Sequence, residues 1–208
     1  DDLNVFARRV APIMAQALIS NPETARMARV LETWDYHDRI DSNAPSVFQA
    51  IYRHVARLTY EDELGVDLAA TMLHTWYFWQ ERLEAMIVEG GSNWFDIVST
   101  NDKKETLSEL IQMAAVQAKT ELTDKLGKDI NDWKWGKLHQ MVYTNPIRRS
   151  GIGKRLLGGG SHPMGGSGET LFRGLYDFNN PDDFQYSAAM RMVADLSDSE
   201  KVIAVLNG

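Results

Sequence analysis

Asp132-Trp133-Lys134-Trp135-Gly136-Lys137-Leu138-His139, followed by Asn145-Pro146, is the stretch on which the reading of this chain turns. Before it, large apolar residues recur at helical spacing. After it, glycine dominates, and short apolar runs bounded by turn residues follow. The stretch itself is compact and aromatic, a seam between two kinds of polypeptide.

Upstream of the seam, the pattern from about Lys104 to Leu126 predicts a long helix closed by Gly127. Leu68 to Val88 predicts another, dense in Met72, Leu73, Trp76, Tyr77, Trp79, Leu83 and Met86 and ended by Gly90-Gly91. Such a helix is expected to be buried on most sides, although its side chains could also line an apolar pocket. Ser42-Asn43-Ala44-Pro45-Ser46 is a break and a cap, from which Val47, Phe48, Ile51, Tyr52, Val55 and Leu58 run along one face to about Tyr60. Asn21-Pro22-Glu23 opens the preceding helix, with Asn21 as its cap. The first stripe, Val5 to Leu18, contains Pro12, which predicts a kink or two shorter helices.

Downstream, residues 146–168 combine Arg148, Arg149, Lys154 and Arg155 with many glycines, which is loop chemistry. Thr170–Tyr176, Tyr186–Leu196 and Val202–Leu206 are of strand length, and Met190–Leu196 and Val202–Leu206 are apolar enough for buried strands. The expected class is α+β: a helical section over 1–145, a Gly-rich connection over 146–168 and strands over 169–208. Three strands make a marginal sheet, so these are expected to pair with strands that the 208 residues do not contain.

Composition narrows the function. An apolar share of 44% and a charged share of 25% suit a soluble domain with a real core. A formal charge of −7 argues against nucleic acid or an anionic membrane surface as partner, since both require excess Lys and Arg. The absence of cysteine excludes disulfides, thiolate metal sites and a Cys nucleophile. No apolar run approaches the roughly 20 residues that span a bilayer. The amino terminus, Asp1-Asp2-Leu3-Asn4, shows neither the basic nor the apolar region of a signal peptide.

Several groups could carry chemistry. Asp35, His37, Asp38 and Asp41 place acids beside an imidazole, but their spacing matches no zinc or calcium pattern, and a polar connection between helices reads the same way. His54 and His74 read as packed or surface side chains, and His139, beside Trp135 and Leu138, as a hydrogen-bonded buried imidazole. Ser161, Ser167 and Ser187 lack the strand–turn–helix setting of a nucleophile elbow. Gly158-Gly159-Gly160 and Gly165-Gly166-Ser167-Gly168 lack the ending of a phosphate-binding loop. Glu169 stands apart. It follows flexible chain and opens an apparent strand, where a carboxylate can be held at a cleft to orient a basic group or take a proton. An ordinary strand-edge Glu would look the same.

Taken together, five segments resemble the penicillin acylase family of N-terminal-nucleophile hydrolases, in the later part of its β-chain. They are Asp2-Leu3-Asn4 before an apolar helix, Leu31-Glu32-Thr33-Trp34-Asp35 with Ser42 to Phe48, the Trp133–His139 seam, Gly165-Gly166-Ser167-Gly168-Glu169-Thr170-Leu171, and Ser187 to Leu196. Their order spans nearly the whole chain, and the Trp-Lys-Trp-Gly-Lys-Leu-His segment is the most specific.

The resemblance implies an αββα core sheet and hydrolysis of linear amides of N-acylated small molecules, such as β-lactam side chains or acyl-homoserine lactones. It implies a Ser nucleophile at the β-chain amino terminus whose own α-amino group is the base, with an oxyanion site. The nucleophile, the oxyanion Asn and the family's structural calcium ligands would lie outside these residues, so no cofactor is expected within them. The partners would be an α-chain and the rest of the β-chain, and the compartment the periplasm. A fragment so placed is expected to be inactive alone. Glu169 matches the acid that in relatives lies close to the nucleophile and orients it or a neighbouring His, with Thr170 beside it. Trp34, Trp133 and Trp135 would be framework. The competing expectation is a non-catalytic helical binding or scaffold module with a self-contained core.

Overall fold

A computed structural model describes residues 2–74, 78–100, 102–142, 160–188, 190–198 and 200–206. Its elements are α1 (Val5–Leu18), α2 (Ala25–Glu32), α3 (Ala44–Leu64), α4 (Val66–His74), α5 (Phe78–Glu89), α6 (Leu107–Leu126) and α7 (Trp135–Leu138). The strands are β1 (Gln140–Val142), β2 (Ser161–Pro163), β3 (Gly174–Tyr176), β4 (Phe184–Ser187), β5 (Met190–Ala194) and β6 (Val202–Leu206). The class is α+β, with the strands arranged as three antiparallel pairs, β1–β2, β3–β4 and β5–β6.

The helical body is organised around α3, which packs chiefly on α6, while α1 packs on α2 and α6. Phe48, Ile51, Tyr52 and Val55 of α3 are fully buried, as are Leu110, Ile111, Ala114 and Ala118 of α6. The small Ala residues of α6 let the two helices approach while the aromatic residues of α3 fill the remaining space. Phe6 meets Tyr52 edge-on at 4.8 Å between ring centroids, and Tyr52 stacks on Phe48 at 5.9 Å. Burying a side chain of this size contributes about 2–3 kcal/mol before entropy is counted.

Helix ends depart from the sequence reading in instructive ways. α1 is continuous through Pro12, so the stripe is not divided into two shorter helices. Pro12 lies on the exposed face, so the Arg8 carbonyl left without its N–H partner can face water, while Phe6, Val10, Met14 and Leu18 hold the other face in the core. Asn21 caps a turn rather than a helix: its carbonyl accepts from Thr24 and Ala25, and α2 starts only at Ala25. The long stretch from Leu68 to Val88 is helical in α4 and α5, with residues 75–77, Trp76 and Tyr77 among them, outside the described residues. Leu73, Trp79, Leu83, Met86 and Ile87 are buried, but Phe78 is 86% exposed, so this region is one-sided rather than enclosed.

The C-terminal strands are shorter than expected. Thr170 to Arg173 is turn and bend, with strand geometry only from Gly174, and Tyr186–Leu196 divides into β4 and β5. β5 and β6, expected to pack against strands outside the 208 residues, carry exposed apolar side chains here. Met192 and Val193, adjacent and therefore facing opposite sides of the hairpin, are 59% and 72% exposed, and Ile203 is 71% exposed. No described segment covers either face. Within the Gly-rich connection, residues 160–168 are ordered against the helical body, whereas Arg148, Arg149, Lys154, Arg155 and Gly158-Gly159 lie outside the described residues. No helix is long and apolar enough to cross a membrane among the described residues.

α6 carries a full capping box: the Thr106 hydroxyl accepts from Glu109 N–H at 3.3 Å, and the Glu109 carboxylate accepts from Thr106 N–H at 2.9 Å. Those bonds hold the Glu109 carboxyl well down, to about 2. Thr106→Ala should therefore destabilise the protein by about 1 kcal/mol, seen as a lower urea midpoint at an unchanged slope.

Candidate active site

The seam residues bind two distant stretches of backbone together. Trp135 N–H donates to Ser42 O and Gly136 N–H to Ile40 O, each at 2.8 Å. The Trp135 indole N–H donates to Gly166 O at 2.8 Å, and Gly166 N–H donates to Asp38 O at 2.8 Å. Met164 N–H reaches His139 O at 3.0 Å, while His139 Nδ1 pairs with Met164 O at 2.8 Å. Gly136 and Gly166 are required by closeness. A Cβ at Gly136 would lie 2.8 Å from Ile40 Cβ, and one at Gly166 only 1.8 Å from Phe172 O, at a backbone φ of +74°.

Inside this clasp sits a buried polar cluster. Asn4 caps α1 through its side-chain oxygen, which accepts from Ala7 N–H at 2.7 Å. Its amide then donates to Asp38 Oδ2 at 3.1 Å and to Ser167 Oγ at 3.3 Å. Asn4 N–H takes Tyr36 O at 2.7 Å, which Tyr36 presents by adopting φ +63°. Asp38 is fully buried, and its Oδ1 has no hydrogen-bond partner. Burial pushes its carboxyl up to about 7, against the opposing bonds from Ser167 and Asn4 and with a further upward push from Glu169.

Ser167 connects the cluster to Glu169. Its N–H donates to Thr170 Oγ1 at 2.9 Å, and its hydroxyl oxygen accepts Glu169 N–H at 3.4 Å. Thr170 is buried and its hydroxyl donates to Phe172 O at 2.8 Å, so it shapes the turn. Glu169 is half-buried, and each carboxylate oxygen receives an amide donor: Gln49 Nε2 reaches Oε2 at 3.3 Å, and Gln80 Nε2 reaches Oε1 at 3.2 Å. It therefore sits on a turn, not at a strand start. Gln80 also walls a cleft of about 640 Å³ lined by Trp79, Leu175, Tyr176, Phe178 and Tyr186. Glu169, bonded to Gln80, is not among the residues that line the cleft.

The other sequence candidates are dispersed. Asp35 pairs with Arg39 at 2.5 Å, whose hydrogen bond lowers its carboxyl, and His37 Nδ1 pairs with Asp2 at 2.6 Å. No group of three or more His, Asp or Glu able to hold a metal occurs among the described residues. His54 Nε2 pairs with Glu121 at 3.0 Å, and exposed His74 with Asp177 at 3.1 Å. His139 is buried, stacked on Trp135 at 4.6 Å, and desolvation lowers its pKa, so it is neutral. His162 and Ser161 lie on exposed β2, and Ser187 ends β4. Sequence reasoning passed over Asn4, Gln49, Gln80 and Tyr176 as site residues. Gln49 carried a signal: a polar side chain amid Val47, Phe48, Ala50 and Ile51.

The penicillin amidase family model matches residues 1–208. The chain belongs to this family. Among its curated relatives, an acyl-homoserine lactone acylase QuiP of Pseudomonas aeruginosa is 26% identical, over 92% of this chain and 25% of that protein. The QuiP protein of Pseudomonas syringae pv. tomato is 25% identical over 78% of this chain and 20% of its own length. The chain thus spans about a quarter or less of the length of the relatives it matches. Within the penicillin amidase frame, the Gly-rich acidic motif is the segment that the Trp135 clasp pins against Asp38.

Two outcomes follow from the cluster. Gly166→Ala should cost roughly 3 kcal/mol or more, because the new Cβ meets a backbone carbonyl at positive φ, read as loss of the cooperative urea transition or a large fall in its midpoint. Separately, native Asp38 keeps its proton from about pH 4 to about pH 7, a window in which the unfolded chain has lost it. Stability should therefore fall as pH rises through that window and level off above it. Asp38→Asn should flatten this slope, in urea midpoints measured across the window.

Proposed function

We propose that the protein to which residues 1–208 belong is an amidohydrolase that cleaves linear amide bonds of N-acylated small molecules, with acyl-homoserine lactones as the favoured class. Family membership over the whole stretch and the names of the curated relatives support the reaction class. The observation that carries the site is the placement of Glu169. The acid of the family motif is gripped by two amide donors beside an apolar cleft, instead of ranging in solvent.

In this reading a Ser hydroxyl, supplied by polypeptide outside residues 1–208, attacks the amide carbonyl while its α-amino group takes the proton. The amine leaves, and water then hydrolyses the acyl ester. Glu169 holds the nucleophile or a neighbouring His in line, and the cleft beside Gln80 offers apolar surface to the acyl chain. The exposed faces of β5 and β6 would be covered by the N-terminal-nucleophile core sheet, contributed by the remaining β-chain and an α-chain. A structural calcium would be held by those other segments, and the periplasm would be the compartment.

The full-length protein should hydrolyse a fatty-acyl or phenylacetyl anilide and an N-acyl-homoserine lactone, and residues 1–208 alone should not. Glu169→Gln in the full-length protein should lower kcat by about tenfold or more, measured by release of the chromogenic amine. Turnover by residues 1–208 alone would refute the external nucleophile. A folded full-length protein inert toward all such amides would leave the helical scaffold as the better reading.

A further inference from the structure

Behind Glu169 the hydrogen bonds continue inward with a defined polarity. Gln49 Oε1 accepts from the Tyr176 hydroxyl at 2.7 Å in the buried interior. Arg53 lines the same small cavity as Gln49 and Tyr176 and pairs with Glu121. Arg53 is 6% exposed. Burial pushes the Glu121 carboxyl up, but His54, Arg53 and Lys125 outweigh it and bring it down to about 2, so the pair stays charged.

The polarity is set from both ends. The Tyr176 hydroxyl spends its single proton on Gln49 Oε1. Gln49 then has only its NH2 to offer Glu169. From the other end, a carboxylate can only accept, which demands the same orientation of the Gln49 amide. A free Gln side chain would flip between two nearly equivalent states, whereas this one has a single satisfied orientation. Tyr176 is further fixed by stacking on Phe178 at 6.0 Å and by an edge contact with Trp135 at 6.2 Å.

We propose that Tyr176 and Gln49 form a positioning relay that fixes the Gln49 amide as a donor and so sets the direction of the Glu169 carboxylate for the hydrolytic reaction. The proposal rests on the amidohydrolase reading and adds to it two residues that do not touch the reacting atoms. Gln80 supplies the second, cleft-side donor, so losing the relay swings Glu169 on one remaining bond instead of releasing it.

The test is a double-mutant cycle in the full-length enzyme with a fatty-acyl anilide as probe. Tyr176→Phe keeps the ring and removes the hydroxyl. It should lower kcat on the order of tenfold while KM stays within about twofold. In a Glu169→Gln background the same substitution should add almost nothing, because the residue it acts through is already gone. Gln49→Leu should reproduce both results, and it carries the test if Tyr176→Phe fails to fold by its thermal transition. Effects of Tyr176→Phe and Glu169→Gln that multiply, or unchanged kcat in folded Tyr176→Phe and Gln49→Leu, would overturn the relay while leaving the Glu169 assignment standing. Full activity of Glu169→Gln would instead remove the Glu169 assignment itself, and the relay with it.

Discussion

The bond from the Trp135 indole to Gly166 O, paired with that from Gly166 N–H to Asp38 O, is the constraint on which the arrangement depends. These contacts tie the turn after α2, the start of α7 and the Gly-rich segment into one unit. Only a glycine allows the Gly166 backbone to approach both partners, since any Cβ there would collide with Phe172 O. With that approach made, Ser167 reaches Asn4 and Asp38, and Glu169 falls between Gln49 of α3 and Gln80 of α5. Without it, Glu169 would be one more acid on a glycine-rich loop.

Three carboxyl groups in this region leave bulk water in part or entirely, and each meets the cost by a different route. Asp38, fully buried with one oxygen unpartnered, is driven toward its protonated form. Glu121 stays ionised because Arg53, His54 and Lys125 surround it. Glu169 is only half-buried and is met by neutral amide donors. Amide donors fix a direction without adding positive charge. The bonds from Tyr176 to Gln49 and from Gln49 to Glu169 start beside the Arg53–Glu121 pair, which lines the same small cavity.

The aromatic residues connect the two parts of the chain. Tyr52 of α3 meets Phe178 at 5.8 Å, Phe178 meets Trp79 at 4.6 Å and stacks on Tyr176, and Tyr176 reaches Trp135 and His139. The segment around β3 is thereby anchored on the helical body. The β5–β6 hairpin has no such anchor among the described residues, and its Met192, Val193 and Ile203 side chains are exposed. Hydrophobicity reports what a strand can pack against, not whether that partner lies within the same stretch of chain.

Helical spacing, the break at Ser42–Ser46, the Gly127 stop and the change of character after Asn145-Pro146 were local properties, and the sequence by itself determined them. It also determined the resemblance, because the motif residues are those whose backbone contacts tolerate few substitutes, such as Gly136 and Gly166. Glu169 could be picked out through its motif, yet its partners could not. Gln49 and Gln80 lie 120 and 89 positions away, and hydrogen bonds across such separations leave no periodicity to read. Asp38 stood in the sequence among acids that looked alike, and only burial separated it from exposed Asp35. Tertiary structure alone decided which carboxyl is desolvated, which amide faces which oxygen, and whether Pro12 divides its helix. Each of these depends on what packs against a side chain rather than on what precedes it.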